Sequence, residues 1–404
     1  MKKNYSLLTI GLVAVSIHSI NAQCPVPSSV TASPSSLCAG ASTSLNATAT
    51  GASISWFNVP SAGTSLGTSA SGVNISFTPT ATTTYYAESY SLTTSGQVFN
   101  YSGAIQNFTV PIGVTSLTLI TKGAQGGNST QFGLTAGGNA AIMQGNFTVT
   151  PGQVLKVLVG GQGVTAQNVG GGGGGSFVWD NLSSTLLNAA GGGGGAGTNY
   201  NTSLGMIGVS AVTGTNGTNG LTVSSGFGAS GNGGLIPAGY TYYASGGTGW
   251  LTNGSNGTTS GCTFNSTGGT RPLLGGMAGI GGGSVGTSAN GGFGGGGGGN
   301  ARCGAVGGGG GGGYSGGGPG AENGGSDFPS GGAGGSYNVG TSQINSVGNT
   351  GDGIVTFSWS PVSCTSISRT AVTVTVGSIP TISVTSGAIC AGSSYTMVAS
   401  GAGY

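Results

Sequence analysis

Charge is nearly missing from this chain. Of 404 residues only 3% are Asp, Glu, Lys or Arg, and there is a single histidine. Lys2, Lys3 and His18 sit at the extreme N-terminus. The rest of the chain keeps Lys122, Lys156, Arg271, Arg302 and Arg369 against Glu88, Asp180, Glu322, Asp327 and Asp352. With no histidine after position 18, that remainder has no Ser-His-Asp or Cys-His machinery, no imidazole metal site and no imidazole base. Its scattered cations form no patch able to neutralise phosphates or anionic lipid, so nucleic acid is excluded as a partner. The acids are too dispersed for a glycosidase pair or a calcium site. No cofactor and no metal are expected, and G-x-G-x-x-G strings carry no weight where glycine is this dense.

Long apolar runs are missing as well. The longest, Leu7 to Ile17, is shorter than the roughly 20 residues a membrane helix needs. It follows Lys2-Lys3 and precedes Ile20-Asn21-Ala22, which makes residues 1–22 a signal peptide. Acylation of Cys24 is the alternative, but Gln23 stands where a small residue should precede the cysteine. The chain is therefore expected to be secreted or displayed on the outer cell surface, with no spanning segment apart from the cleaved leader. Export turns Cys24, Cys38, Cys262, Cys303, Cys364 and Cys390 into disulfide candidates.

What is abundant is glycine, and it divides the chain: 81 of the 93 glycines fall within residues 103–353. The flanks are rich in Ser, Thr, Val and Ala, with short alternating patterns that read as strands. They also repeat each other. Leu37-Cys38-Ala39-Gly40-Ala41-Ser42 returns as Ile389-Cys390-Ala391-Gly392-Ser393-Ser394, so residues 379–404 are expected to begin a second copy of the first domain.

The first copy carries a Cys38-Ala39-Gly40 turn, Trp56 in an apolar strand, and the strand Thr83-Thr84-Tyr85-Tyr86. Cys364-Thr365-Ser366-Ile367-Ser368-Arg369-Thr370-Ala371-Val372-Thr373-Val374 supplies its last piece, after the glycine zone. In this order the pieces resemble the immunoglobulin-like repeats of bacterial surface and adhesin-type proteins. The resemblance implies an Ig-like domain split into 24–95 and 362–378, with the glycine-rich domain, 103–358, inserted at a hairpin. Three consecutive domains with a stray strand are the alternative. It also implies Trp56 in the core beside a Cys38–Cys364 bridge. Cys262 and Cys303 flank a glycine-rich stretch and are candidates to staple it.

The glycine-rich zone is patterned rather than loose. Period-2 strands such as Val114–Ile120, Val154–Val159, Ser176–Trp179 and Gly353–Phe357 alternate with Gly/Pro/Asn turns, as in an antiparallel sandwich or jelly roll. Collagen is excluded, because strict every-third glycine with abundant proline is missing. The runs Gly170–Gly175, Gly191–Gly195, Gly294–Gly299 and Gly307–Gly313 can pack as extended three-residue helices that satisfy one another's backbones. Trp179 is expected in the core; Trp250 and Trp359 are left open between core and binding.

The ordered string Lys122-Gly123-Ala124-Gln125-Gly126-Gly127, Leu158–Gly163, Gly170–Val178, Leu187–Gly194, Gly291–Gly299, Cys303 and Gly307–Gly317 resembles the extracellular glycine-rich domain of the anaplastic lymphoma kinase and leukocyte tyrosine kinase receptors and of bacterial glycine-rich proteins. That resemblance implies a tumour-necrosis-factor-like sandwich with polyglycine helices, and a ligand surface near the tract 318–327. Only Glu322 and Asp327 remain there as candidate contacts. No kinase half accompanies it, since neither H-R-D nor D-F-G occurs.

The fold class is thus all-β: an Ig-like sandwich with an inserted TNF-like, jelly-roll glycine-rich domain. The function expected is non-enzymatic recognition or adhesion, with an extracellular protein or glycan as partner. A purely structural spacer is the alternative, and exposed aromatic or polar groups converging on one face would favour recognition over it.

Overall fold

The computed structural model describes residues 23–258, 265–283, 289–301, 307–322, 327–360 and 362–377, and beyond these 383–384, 387–394, 396 and 399–400. The leader 1–22, Cys262, Cys303 and much of 379–404 lie outside the described residues. Among the described residues the fold is all-β, and the one helical element is a single 3-10 turn, Pro272–Leu274. They fall into two compact units, one made of residues up to Thr93 with those from Pro361 onward, the other of Thr94–Ser360.

The first unit pairs a three-stranded sheet with a larger one. Thr43–Thr48 lies between Ser28–Ser33 and Ile75–Phe77. The larger sheet runs Ser36–Cys38, Thr370–Gly377, Thr83–Leu92, Ser53–Phe57, Gly67–Ala70, and Val362–Thr365 also pairs with Thr83–Leu92. Alternation explains the packing: Thr43–Thr48 buries every second residue. Its inward set, Leu45 and Ala47, meets Ile54, Trp56, Tyr85, Ala87 and Val374 in one core. Trp56 is fully buried. Ala371 stands opposite Tyr86, so the strand that follows the glycine-rich zone closes the sheet beside the Thr-Thr-Tyr-Tyr strand.

The disulfide is not the one the Ig resemblance implied. Cys364 is bonded to Cys24, whereas Cys38 is an exposed free thiol, as is Cys390. Strand register is the reason. Cys38 sits opposite Gly377, at one end of Thr370–Gly377. Cys364, on Val362–Thr365, lies opposite Ser91 near the other end of Thr83–Leu92. The N-terminal segment reaches that second end, where the Cys24 backbone N–H donates to Thr365 O at 3.4 Å.

The second unit is a sandwich of two five-stranded sheets. One runs Thr341–Asn349, Ala140–Thr148, Ser116–Lys122, Ile354–Trp359, Ser95–Asn100; the other Tyr337–Asn338, Leu186–Ala190, Ser176–Asp180, Val154–Leu158, Gln106–Thr109. Their inner faces share a core in which Phe108 and Phe357 stack at 4.1 Å, with Phe99 edge-on to both. Ser95–Asn100 is a full edge strand here, paired with Ile354–Trp359, so this unit begins before the glycine content rises at 103.

The glycine runs Gly170–Gly175 and Gly308–Gly313 are buried and satisfy their backbones in a period of three. The Gly170 and Gly173 N–H groups donate to Ala196 and Gly193; Gly171 and Gly174 to Val164 and Gly161; Gly172 and Gly175 to Gly297 and Gly294. Gly308 and Gly311 donate to Pro329 and Gly332, Gly309 and Gly312 to Gly170 and Gly173, Gly310 and Gly313 to Ser245 and Thr248. Each of these two runs therefore faces three neighbours in rotation, and its buried N–H groups find partners without helix or sheet ladders. Gly294–Gly299 departs from the pattern expected of it: Gly294 and Gly295 have φ of 91° and 79°, and both donate to Gly276 O. The contacts are backbone to backbone. A Cβ at Gly172, Gly192, Gly309 or Gly311 would overlap a neighbouring glycine carbonyl oxygen. Only a hydrogen fits there, pointing at that oxygen as a weak donor.

Candidate functional site

The acids suggested by the sequence are largely taken up within the fold. Asp327 accepts from Asn199 Nδ2 at 3.0 Å, Tyr200 N at 3.0 Å and Asn201 Nδ2 at 3.3 Å, which fixes the turn after Gly197–Asn199. Glu322 lies on a two-residue strand paired with Tyr242–Tyr243. Its Oε2 is buried without a hydrogen-bond partner among the described residues. Burial pushes this carboxyl above the usual range and the Asp327 charge adds to that, while the Asp327 backbone N–H opposes it. Asp180 caps its own hairpin turn, accepting from Ser183 N at 2.7 Å and Gln153 Nε2 at 2.8 Å, and these bonds hold its pKa below the usual range. Asp352 occupies the turn before Ile354–Trp359 and accepts from Gln162 N at 2.7 Å. Among the described residues no three His, Cys, Asp or Glu side chains gather to hold a metal ion.

The tryptophans separate clearly. Trp179 and Trp250 are buried and meet edge-to-face at 5.7 Å in a second core with Phe177 and Phe293. Trp359 is different. It ends its strand on the inward side after Val355 and Phe357, and leans on Phe108 with ring centroids 5.6 Å apart. Only partly buried, it lines an open groove of about 410 Å³.

That groove is built by alternation. In Ser116–Lys122, Leu117 and Leu119 enter the core, which turns Ser116 and Thr118 outward. Register then sets Thr118 opposite both Asn146 and Ser358. Thr118 Oγ1 donates to Asn146 Oδ1 at 2.8 Å. The Asn146 amide NH₂ keeps no intramolecular partner among the described residues. Thr94, Thr115 and Ser360 complete a lining with no charged side chain. A second depression of about 290 Å³ adjoins it, sharing Ser116 and Asn146 and continuing to Leu187, Val339 and Thr341.

Sequence reading left Trp359 open and missed the groove's polar residues. Thr118 lies 28 residues from Asn146 and 240 from Ser358, and their meeting depends on sheet order. The outward phase of Ser116 and Thr118 is the one signal the strand pattern did hold.

Residues 25–98 match the family described as Ig-like domain, CHU_C associated. The chain thus carries an Ig-like domain in an all-β fold, which is consistent with a surface or adhesion-type protein. The match ends inside Ser95–Asn100, while the described Ig-type sheet also takes in Thr370–Gly377. No curated protein matches the chain. No helix among the described residues is long and apolar enough to cross a membrane.

Proposed function

We propose that this is an exported, surface-displayed, non-enzymatic recognition or adhesion protein. In this reading the glycine-rich unit is a rigid binding module carried on an Ig-like domain. One observation carries it: a set of outward hydroxyl and amide side chains, Ser116, Thr118, Asn146 and Ser358, converges on a single groove of about 410 Å³, within the size range of ligand sites. A spacer has no use for such convergence. The Ig-like family match, the Cys24–Cys364 bridge and the leader-like N-terminus support an extracellular setting.

In the same reading, the glycine-rich unit is an insertion in the split Ig-like domain, and its period-three runs are polyglycine helices of the kind the receptor resemblance implies. The ligand contacts at Glu322 and Asp327 rest on the receptor resemblance alone, and Asp327 is already engaged by Asn199, Tyr200 and Asn201.

Labelled chain applied to arrays of purified extracellular proteins and polysaccharides tests the proposal. Saturable binding to at least one, with no ATP or ester hydrolysis by the same preparation, is the expected result. Failure to bind any component saturably would return the chain to the spacer reading.

A further inference from the structure

We propose that the outward face of the sheet carrying this groove binds the same face of a second copy of the chain, an inference that rests on the recognition reading and names its partner. The two sheets of the unit differ on their outward sides. Across one of them, Phe177, Trp179 and Leu186 are covered by Trp250 and Phe293. The sheet with the groove instead leaves Ile344 64% exposed at one edge and Val98 56% exposed at the other. Ile120, Ile142 and Ile354 lie between them, half-buried and in the outward phase of their strands. This is apolar surface on the solvent side of a sheet whose inner face already fills the core.

Register arranges the face in rows. Ile344, Gln144, Ile120, Thr356 and Val98 stand opposite one another across the five strands. Along the middle strand, Lys122 lies two residues to one side of this row and Thr118 two residues to the other. Lys122 is flanked by Ile142 and Ile354, and it makes no ion pair among the described residues. It is also the one charged side chain in the outward phase of these five strands. Thr118 is flanked by Asn146 and Ser358, the neutral floor of the groove.

A two-fold axis along the central row makes this face its own complement. The row then meets itself, with Ile120 on Ile120, while Lys122 of each copy comes over Thr118 of the other. The ammonium has three protons to donate, and the Thr118 and Ser358 hydroxyls can accept them. Thr118 Oγ1 gives its own proton to Asn146 Oδ1 at 2.8 Å, so its lone pairs are left for the incoming cation. The two Lys122 residues stand four positions apart along the strand direction, about 13 Å. An axis along the strands would instead set Lys122 on Lys122, and like charges in contact disfavour it. Five strands about 4.8 Å apart and seven residues at about 3.3 Å each give roughly 550 Å² per copy. The total of about 1,100 Å² just exceeds the roughly 1,000 Å² that a specific interface needs, which suits reversible contact between displayed copies.

The test is sedimentation equilibrium of the full chain, with the chain itself also spotted on the same arrays. A concentration-dependent monomer–dimer equilibrium and saturable self-binding are expected. Ile120→Asp sets carboxylate against carboxylate on the axis and should weaken dimerisation about tenfold or more. Thr118→Lys opposes cation to cation and should weaken it by roughly the same factor. Thr118→Glu should strengthen it about threefold or more, because each new carboxylate meets Lys122 of the other copy. Ile120 and Thr118 both lie outside the core cluster, and thermal melting against the parent checks that each variant is folded.

A monomer at every concentration overturns the inference, as does a dimer that Ile120→Asp leaves intact. Weakening by Thr118→Glu as well as by Thr118→Lys would remove the proposed axis and the inference with it. Saturable binding to another component of the arrays, without self-association, would leave the recognition reading standing and sink the copy-to-copy contact alone. Absence of all saturable binding, to itself included, would sink both.

Discussion

The Arg369 guanidinium stands 3.3 Å over the centre of the Phe57 ring. Its Nε donates to Glu88 Oε2 at 2.7 Å, and its terminal nitrogen to the carbonyls of Val59 and Ala62, each at 2.8 Å. One side chain thus ties a late strand to two early ones, with 281 residues between Arg369 and Glu88.

Arg369→Ala removes that tie and leaves Glu88, 22% exposed, without its ion-pair partner. Breaking a largely buried pair costs roughly 3 kcal/mol. Arg369→Lys keeps the charge but loses the planar fork that serves three acceptors and an aromatic face, so an intermediate loss is expected. Urea melts of the two variants measure both; equal stability of Arg369→Ala and the parent would contradict the role given to this residue.

Gly310 tests the glycine packing. A Cβ there would overlap Gly317 O and stand 2.7 Å from Gly247 N. Gly310→Ala should cost about 1–3 kcal/mol as overpacking, and Gly310→Val more, because hydrogen bonds to the neighbours are lost as well. Gly214→Ala is the control, since a Cβ there meets nothing within 4 Å. Gly96, though it lies before the glycine-dense zone, is unsuitable as a control: its Cβ would come 2.9 Å from Phe357 O. Differential scanning calorimetry and limited proteolysis compare the three, and a melting point for Gly310→Val equal to that of Gly214→Ala would remove the case for close packing.

Much of the fold was legible because alternation is a local property. The strands around Trp56, Leu117–Leu119 and Phe357 announce their buried faces within a few residues. What stayed hidden depends on which strands become neighbours. Cys364 chose Cys24 over Cys38 because the two candidates lie at opposite ends of the sheet, a fact of register that spacing does not encode. Ser95–Asn100 has the composition of the flank, although its pairing with Ile354–Trp359 places it in the sandwich. The groove was hidden for the same reason, since Thr118, Asn146 and Ser358 look unremarkable one at a time.

Loss of the Cys24–Cys364 bridge should be visible in the Ig-type sheets and silent in the glycine-rich unit. The bond spans 340 residues, but a compact unit inside that loop shortens the chain it effectively closes. A cost of roughly 2–4 kcal/mol is expected for Cys24→Ser with Cys364→Ser. Cys38→Ser should change nothing. Non-reducing peptide mapping gives the connectivity, and a Cys38-containing disulfide peptide in the parent would refute it.

Glu322 sets a pH dependence of definite sign. Its carboxyl is raised by burial, so the fold favours the protonated form. The stability from this site is complete below the unfolded value of about 4.3 and is lost as pH rises through the higher folded value. Glu322→Gln should therefore raise Tm at pH 7 and lose that advantage at pH values below about 4. A gain of the same size at both pH values, or none at pH 7, would argue against a buried, disfavoured charge.

The rotation of hydrogen-bond partners along the glycine runs constrains how such a sequence can change in length. In Gly170–Gly175 the same neighbour returns at every third residue. Adding or deleting one glycine turns every later N–H toward a different neighbour, about a third of a turn away. Adding three restores the original assignment and only lengthens the run. Insertions and deletions in these tracts are thus subject to a reading frame of their own, imposed by protein packing rather than by codons.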